Sequence, residues 1–388
     1  MTRHAIAADT LFDGARLQHD CAVVIEGECI MEVLPRRALD ERRGGHGVRP
    51  RGSDTILPDR AWLAPGFIDC QVNGGGDVLF NDAPTPEAID RIAAAHRRLG
   101  TTALLPTLIS DTPEKVQVAL CAARRAVASN ASVLGIHLEG PFLSPQRPGV
   151  HNPAVFREPN EEDAAQLIAA QSGAMLVTLA PERTPPGFIR KLTAAGIRVS
   201  LGHSAATYAQ TRAALAEGMT GFTHLFNAMP PLASREPGPV AAALETPDAW
   251  FGMIVDGHHV APPMLRLALR GVARPMLVSD AMPPVGGRKP SFLLNGEEIA
   301  VRDGRCARAD GTLAGAAISM ADAVRNCVAL LGIPLTDALR FASAEPAAFL
   351  GRADTLGRIA PGYRADLVAF NPDNLAVYGT WVAGHPEE

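Results

Sequence analysis

The sequence predicts an α/β protein: a (β/α)8 TIM-like barrel with a small β-sandwich domain built from both chain ends. Three observations predict it. Eight short apolar runs follow one another through the middle of the chain, most of them separated by Ala-rich helical patterns. Both chain ends instead have β texture, whereas the middle is β/α. Finally, Glu139, His203, His224 and Asp280 each fall at the carboxyl end of an apolar run. Apolar runs of this kind read as buried strands of a parallel sheet. Polar residues at the carboxyl ends of several such strands are how a barrel builds a site.

In chain order, residues 1 to about 60 hold short β-like pieces, notably CAVVIEGECIMEVLP, broken by the Arg/Gly-rich stretch ERRGGHGVRPRGSD. From Trp62 onward the strand candidates are GFIDCQV, TTALLPT, SVLGIHLE, AMLVTLA, IRVSLGH, TGFTHLF, WFGMIVD and PMLVSD. TPEAIDRIAAAHRRLG and TPEKVQVALCAARRAVA open with Thr-Pro-Glu, a cap followed by a first turn; SAATYAQTRAALAEG is a third helical interval. After Asp280, SFLLNGEEIAVRDGRCARADGTLAG reads as a β excursion turning at Asn295-Gly296 and Asp303-Gly304. Helices resume at ISMADAVRNCVALLG and PLTDALRFASAEPAAFLG, and the tail GRIAPGYRADLVAFNP with VYGTWVAG is β-like again. The economical division is 1–61 plus 353–388 as the small β domain and 62–352 as the barrel.

Bulk composition narrows the function class. The chain has 388 residues, 47% hydrophobic and 20% charged, with a net charge of −5. It therefore carries no basic field for nucleic acid or an anionic membrane surface. Lys115, Lys191 and Lys289 are the only lysines, so an anionic substrate group would meet arginine. The six cysteines are scattered without a CxxC pair, which reads as free thiols in a reducing cytosol. No apolar leader or membrane-length run is present, and a cytoplasmic location is expected.

The strand-end residues carry the chemistry. A carboxylate buried at the end of a strand costs several kcal/mol without a partner, so Glu139 calls for a cation or an arginine. One histidine alone would read as a satisfied polar residue. Two at strand ends, His203 and His224, make with Glu139 a set that suits a catalytic divalent ion with an open position. Asp280 is then either a helix N-cap or the group that moves a proton, and the second reading places it in the same ring. His137, two residues before Glu139, reads as core or as support for a ligand.

Around these lie loops and secondary candidates. DGHHV offers His258 or His259 as a donor to a carbonyl oxygen, and the sequence barely separates them. RPGVHNP and NAMPPLASREPG follow the third and sixth strands and hold His151, Asn227 and Arg235 as substrate contacts. Arg235 suits a phosphate, or else an ion pair with Glu236 or Glu245. Gln71 and Asn73 alternate onto one face after the first strand, where a second metal would sit. Amides are poor ligands for Zn²⁺, so one ion per chain is expected.

PGFIDCQVNG, HLEGPF, GVHNP, LGHS, THLFNAM, REPG, DGHHV, SDAM, LAG and the tail GRIAPGYRADLVAF together resemble the amidohydrolase superfamily, over nearly the whole chain. HLEGPF with GVHNP, and THLFNAM with REPG, resemble within it the N-acetylglucosamine-6-phosphate deacetylases. The resemblance implies Glu139, His203 and His224 as ligands of one divalent ion, Zn²⁺ by preference, with Fe²⁺, Co²⁺ or Mn²⁺ able to use the same donors. It implies Asp280 as acid/base and His259 as the carbonyl-polarising group. Val150, His151, Asn227, Ala228, Arg235, His259, Leu313, Ala314 and Gly315 would contact an amino-sugar phosphate. A homodimer is implied as well, because the arginine of such enzymes can reach across a subunit interface. The epimeric N-acetylgalactosamine 6-phosphate is the competing substrate.

Overall fold

The computed structural model describes residues 3–42 and 54–387. The core of the Arg/Gly-rich stretch, 43–53, lies outside the described residues. The chain divides into two compact units: residues 1–68, 96–103 and 320–388 form one, and residues 69–95 and 104–319 form the other.

In the first unit, both chain ends enter one eight-stranded sheet. The junction is the strand Trp62–Pro65. It pairs in parallel with Arg3–Phe12 on one side and antiparallel with Leu367–Phe370 on the other. Leu17–Glu26 and Cys29–Pro35 continue the sheet one way, Val377–Val382 and His385–Pro386 the other. The uninterrupted apolar run in Leu17–Glu26 is explained by cover on both faces. Cys21, Val23 and Ile25 join one buried cluster with Ile6, Leu63 and Trp381. Ala22 and Val24, a pleat apart, join another with Leu34 and Leu39. Leu39 comes from the short helix Arg36–Arg42.

The barrel strands are β1 (Phe67–Val72), β2 (Thr101–Ile109), β3 (Gly135–Glu139), β4 (Ala174–Leu179), β5 (Arg198–Leu201), β6 (Gly221–Phe222), β7 (Trp250–Met253) and β8 (Arg274–Leu277). They are neighbours in sequence order, and every pairing from β2 to β8 is parallel. A parallel bridge between Val72 and Ala281, just past β8, closes the ring. All eight strands lie at the expected runs, and the fold class is borne out. β2 and β4 are buried along their whole length, as strands with cover on both faces must be.

Helix starts follow local chemistry. Thr112 accepts a hydrogen bond from the Lys115 N–H at the head of Pro113–Ser129, and Thr85 does the same for Ala88 before Pro86–Arg97. In the third interval the cap is Thr207, in a reciprocal box with Gln210. The excursion after Asp280 is a four-stranded antiparallel sheet, Ser291–Leu294, Glu297–Arg302, Arg305–Ala307 and Leu313–Ala316. Both of its expected turns put two successive residues in the left-handed region: Asn295 and Gly296 at φ 53° and 83°, Asp303 and Gly304 at 52° and 75°. Its last strand bridges Ala281 through Ala316, and Leu294, Ile299, Cys306 and Ala314 pack on Ile109 and Met282. The insertion is thereby fixed to the mouth of the barrel. No described helix is long and apolar enough to cross a membrane.

Candidate metal centre and active site

Glu139 closes β3, and its carboxylate is the hub of the site. Oε1 lies 3.0 Å from His224 Nε2 and 3.2 Å from His203 Nε2, and those two nitrogens are 3.2 Å apart. Three donor atoms thus converge on one point. Among the described residues no arginine pairs with Glu139. The His203 Nδ1–H donates to the Arg147 carbonyl at 3.0 Å, which leaves the Nε2 lone pair for a ligand. His151 also enters this centre. Its Nε2 is 3.9 Å from Glu139 Oε2, and Glu139, His151 and His203 place donor atoms within 4.8 Å of one another. The donor set is chemically that of a divalent transition-metal ion, with four candidates for its sites.

The backbone aims these side chains. His203, His224 and Asp280 lie two or three residues beyond their strands at φ 47°, 31° and 50°. Non-glycine residues in this left-handed region carry strain of about 1–3 kcal/mol each. Here it turns each side chain off the strand and into the mouth.

Asp280 is no helix cap. Its Oδ1 accepts from Asn73 Nδ2 at 2.7 Å and from Gln71 Nε2 at 3.1 Å. The same Gln71 amide lies 3.3 Å from both Glu139 oxygens, so it bridges the two carboxylates. Gln71 and Asn73 do share a face, as expected, and their NH₂ groups point at acids rather than their oxygens at an ion.

Electrostatics divides the two acids. Burial opposes charge on Glu139, but hydrogen bonds from His203 and His224 and the nearby His151 outweigh it and hold the carboxyl well below the usual range. Burial and the charge of Glu139 push Asp280 up to about 6, against the pull of His224, His259 and the Asn73 amide. Burial and the neighbouring His203 press His151 down to about 3, so its ring is neutral. His137 is likewise buried and pushed down to about 4; its ring nitrogens meet the hydroxyls of Thr107 and Thr178 at 3.2 and 2.8 Å. It is support beneath Glu139, tied to both neighbouring strands.

A cavity of about 240 Å³ opens above these groups, lined by Asn73, Val150, His151, Asn227, Ala228, His259, Leu313 and Gly315 as well as the four strand-end residues. Of the expected contacts, two are elsewhere. Ala314 points into the core under the inserted sheet. Arg235 is exposed in the loop after β6, does not line the cavity, and has no hydrogen bond or ion pair among the described residues. The two acids proposed to pair with it have other partners: Glu236 accepts from the backbone N–H groups of Tyr208 and Gly238, and Glu245 is engaged by Arg212 and Tyr208. The two histidines of DGHHV separate cleanly. His258 turns its Nε2 to the Asp303 carbonyl at 3.2 Å, whereas His259 lines the cavity.

A profile of the amidohydrolase family matches residues 62–386. The chain belongs to the amidohydrolase family. Among its relatives is N-acetylglucosamine-6-phosphate deacetylase of Haemophilus influenzae, 35% identical with full coverage of both chains (100% each). N-acetylgalactosamine-6-phosphate deacetylase of Shewanella sp. is 42% identical, over 83% of this chain and 82% of the relative. The crystal structure of N-acetylglucosamine-6-phosphate deacetylase from Pasteurella multocida superposes with a TM-score of 0.92 at 34% identity, covering 99% of each chain. A point mutant of the Mycobacterium smegmatis N-acetyl-D-glucosamine-6-phosphate deacetylase, in complex with N-acetyl-D-glucosamine-6-phosphate, does so with a TM-score of 0.88 at 36% identity, covering all of both chains (100%).

Two polar residues of this amidohydrolase escaped the sequence reading. Asp69, fully buried, accepts from the backbone N–H groups of Gln71 and Ser279 and from the Ser279 hydroxyl, and so ties β1 to the segment that carries Asp280. Burial pushes its carboxyl up to about 7 despite those hydrogen bonds. Its period-two register with Gln71 and Asn73 was the available signal. The Arg147 carbonyl left none, because a backbone acceptor has no side-chain signature.

Proposed function

We propose that this chain removes the acetyl group of N-acetylglucosamine 6-phosphate, giving glucosamine 6-phosphate and acetate. The observation that carries the reading is one cavity in which Glu139, His203 and His224 converge while Asp280 stands opposite, held by two amides. Glu139, His203 and His224 would hold one divalent ion, Zn²⁺ first, with His151 left to the substrate. The amide donors of Gln71 and Asn73, already committed to carboxylates, speak against a second ion beside them.

Bound there, the ion would polarise the acetamide carbonyl as a Lewis acid and make a water more acidic. Asp280 accepts the proton of the attacking water and returns it to the departing amine. A buried carboxyl whose acidity is weakened by desolvation is suited to do both. His259 donates to the carbonyl oxygen as charge builds on it. Val150, His151, Asn227, Ala228, Leu313 and Gly315 form the sugar-facing wall, with Ala314 holding that wall from behind.

No lysine or arginine lines the cavity among the described residues. The free, exposed Arg235 therefore suits a homodimer in which it reaches the partner's cavity and binds the phosphate. The barrel, expected over 62–352, would be the catalytic part, and the sheet of both chain ends the β domain, which takes in Trp62–Pro65 as well as the expected 1–61 and 353–388. Free thiols at all six cysteines fit a cytoplasmic setting.

The test is turnover of N-acetylglucosamine 6-phosphate with metal analysis on the same sample, expected at about one ion per chain. Equal turnover of the unphosphorylated sugar would remove the phosphate anchor from the reading. A second substrate has its own support: relatives at 42% and 40% identity are named N-acetylgalactosamine-6-phosphate deacetylases. Comparing kcat/KM for the two epimers assigns the preference.

A further inference from the structure

The Asp256 carboxylate plays no part in the reaction as derived so far, yet it is among the most tightly held groups near the cavity. Its Oδ2 lies 2.6 Å from His259 Nδ1, and its Oδ1 accepts the backbone N–H groups of His258 at 2.8 Å and His259 at 2.9 Å. The Asp256 side chain is 1% exposed and that of His259 7%. Three donors leave the carboxylate no freedom to swing away. We propose that Asp256 is a positioning residue that commits His259 to act as a cationic hydrogen-bond donor toward the substrate carbonyl. This rests on the role given to His259 above.

The argument is one of valence. An ionised carboxylate only accepts, so Nδ1 of His259 must carry a hydrogen. Nε2 is then the ring atom left for the cavity. In a neutral ring it holds a lone pair, which would repel a carbonyl oxygen; with a second proton it donates to that oxygen. The carboxylate at Nδ1 favours the second form. Asp256 is itself kept ionised: burial opposes its charge, but the hydrogen bond and charge of His259 and the two backbone N–H groups outweigh burial and hold it below the usual range. The other titratable groups facing the pair are Asp280, which feels His259, and the Cys306 thiol, which feels Asp256; His258 points away to the Asp303 carbonyl. During the reaction the proton stays on the His259 ring and only its hydrogen bond strengthens.

The experiment uses the full-length, zinc-loaded chain with N-acetylglucosamine 6-phosphate, and ¹⁵N NMR of its histidine rings, with His259→Asn identifying the His259 signals. Asp256→Asn should leave metal content and KM within about threefold and lower kcat by roughly 10²-fold, as loss of an oxyanion donor does. The alkaline limb of kcat should move to lower pH, and Asp256→Glu should recover part of the rate. At pH 7 the parent spectrum should show both His259 nitrogens protonated, and the Asp256→Asn spectrum only one. A neutral His259 in the parent overturns the proposal, even if Asp256→Asn fails to fold. So does an unmoved alkaline limb in a folded Asp256→Asn enzyme. Unimpaired kcat in His259→Asn would instead remove His259 from the mechanism, and with it the reading on which the proposal stands.

Discussion

Glu139 and Asp280 are both buried carboxylates facing one cavity, and both accept from the Gln71 amide, yet their acidities are driven in opposite directions. Burial acts alike on the two. The difference lies in the partners: imidazoles crowd Glu139, whereas Asp280 receives neutral amides and the repulsion of Glu139 itself. The first carboxylate is built to stay charged against a cation, the second to change charge during a reaction. Two acids with pKa values pushed apart mark a division of labour.

The largest test of that division removes the charge of the hub. Glu139→Gln should take metal content well below one ion per chain and lower turnover by more than ~10⁴-fold, since Lewis acid and acidic water go together. Full metal content in that variant would show that His151, His203 and His224 suffice, and the hub would lose its meaning. Asp280→Asn should do the reverse, keeping the ion and the fold while kcat drops by roughly 10²–10⁴-fold. Near-normal kcat would end its role as proton carrier.

Much of this contrast was legible in the sequence, for a physical reason. A strand buried on both faces tolerates few polar residues, so Glu139, His203, His224 and Asp280 stood out against apolar runs, and their place at the carboxyl ends of those runs pointed to the mouth of a barrel. Which acid would be pushed up was not legible. It depends on Gln71 and Asn73 donating across the ring, and on left-handed backbone at His203, His224 and Asp280. Neither is a local property of the chain. The residues alone left His258 and His259 open for the same reason, because the two differ only in which neighbour each ring meets. For Arg235 the sequence left a phosphate and an ion pair with Glu236 or Glu245 open; among the described residues no ion pair is made.

A smaller effect reads the amides directly. Asp280 acts as a base only when ionised, so activity should be full above its pKa and fall as pH drops through it. The Asn73 amide lowers that pKa by donating to Oδ1. Asn73→Ala should therefore move the acid limb of kcat to higher pH, a loss at acidic pH that vanishes at high pH. An acid limb that stays in place would mean that another group sets it.

The smallest effect is on stability, and its sign separates the two acids. In the metal-free protein the folded state holds the Asp280 proton more tightly than the unfolded chain does, up to about 6 against an ordinary 3.8. That contribution is fully present below the unfolded value and is lost as pH rises through about 6. At pH 8, Asp280→Asn removes the burden of a buried charge, worth on the order of 2–3 kcal/mol, and should raise Tm by a few degrees. At pH 4 the gain should disappear. Glu139 runs the other way: its folded-state pKa is depressed, so its contribution is present at neutral pH and is lost on acidification. Glu139→Gln should accordingly lower Tm at pH 8. Thermal melts of the two metal-free variants at both pH values check this pair of signs. Two shifts in the same direction at pH 8 would mean that packing, and not the partners of each carboxylate, governs both.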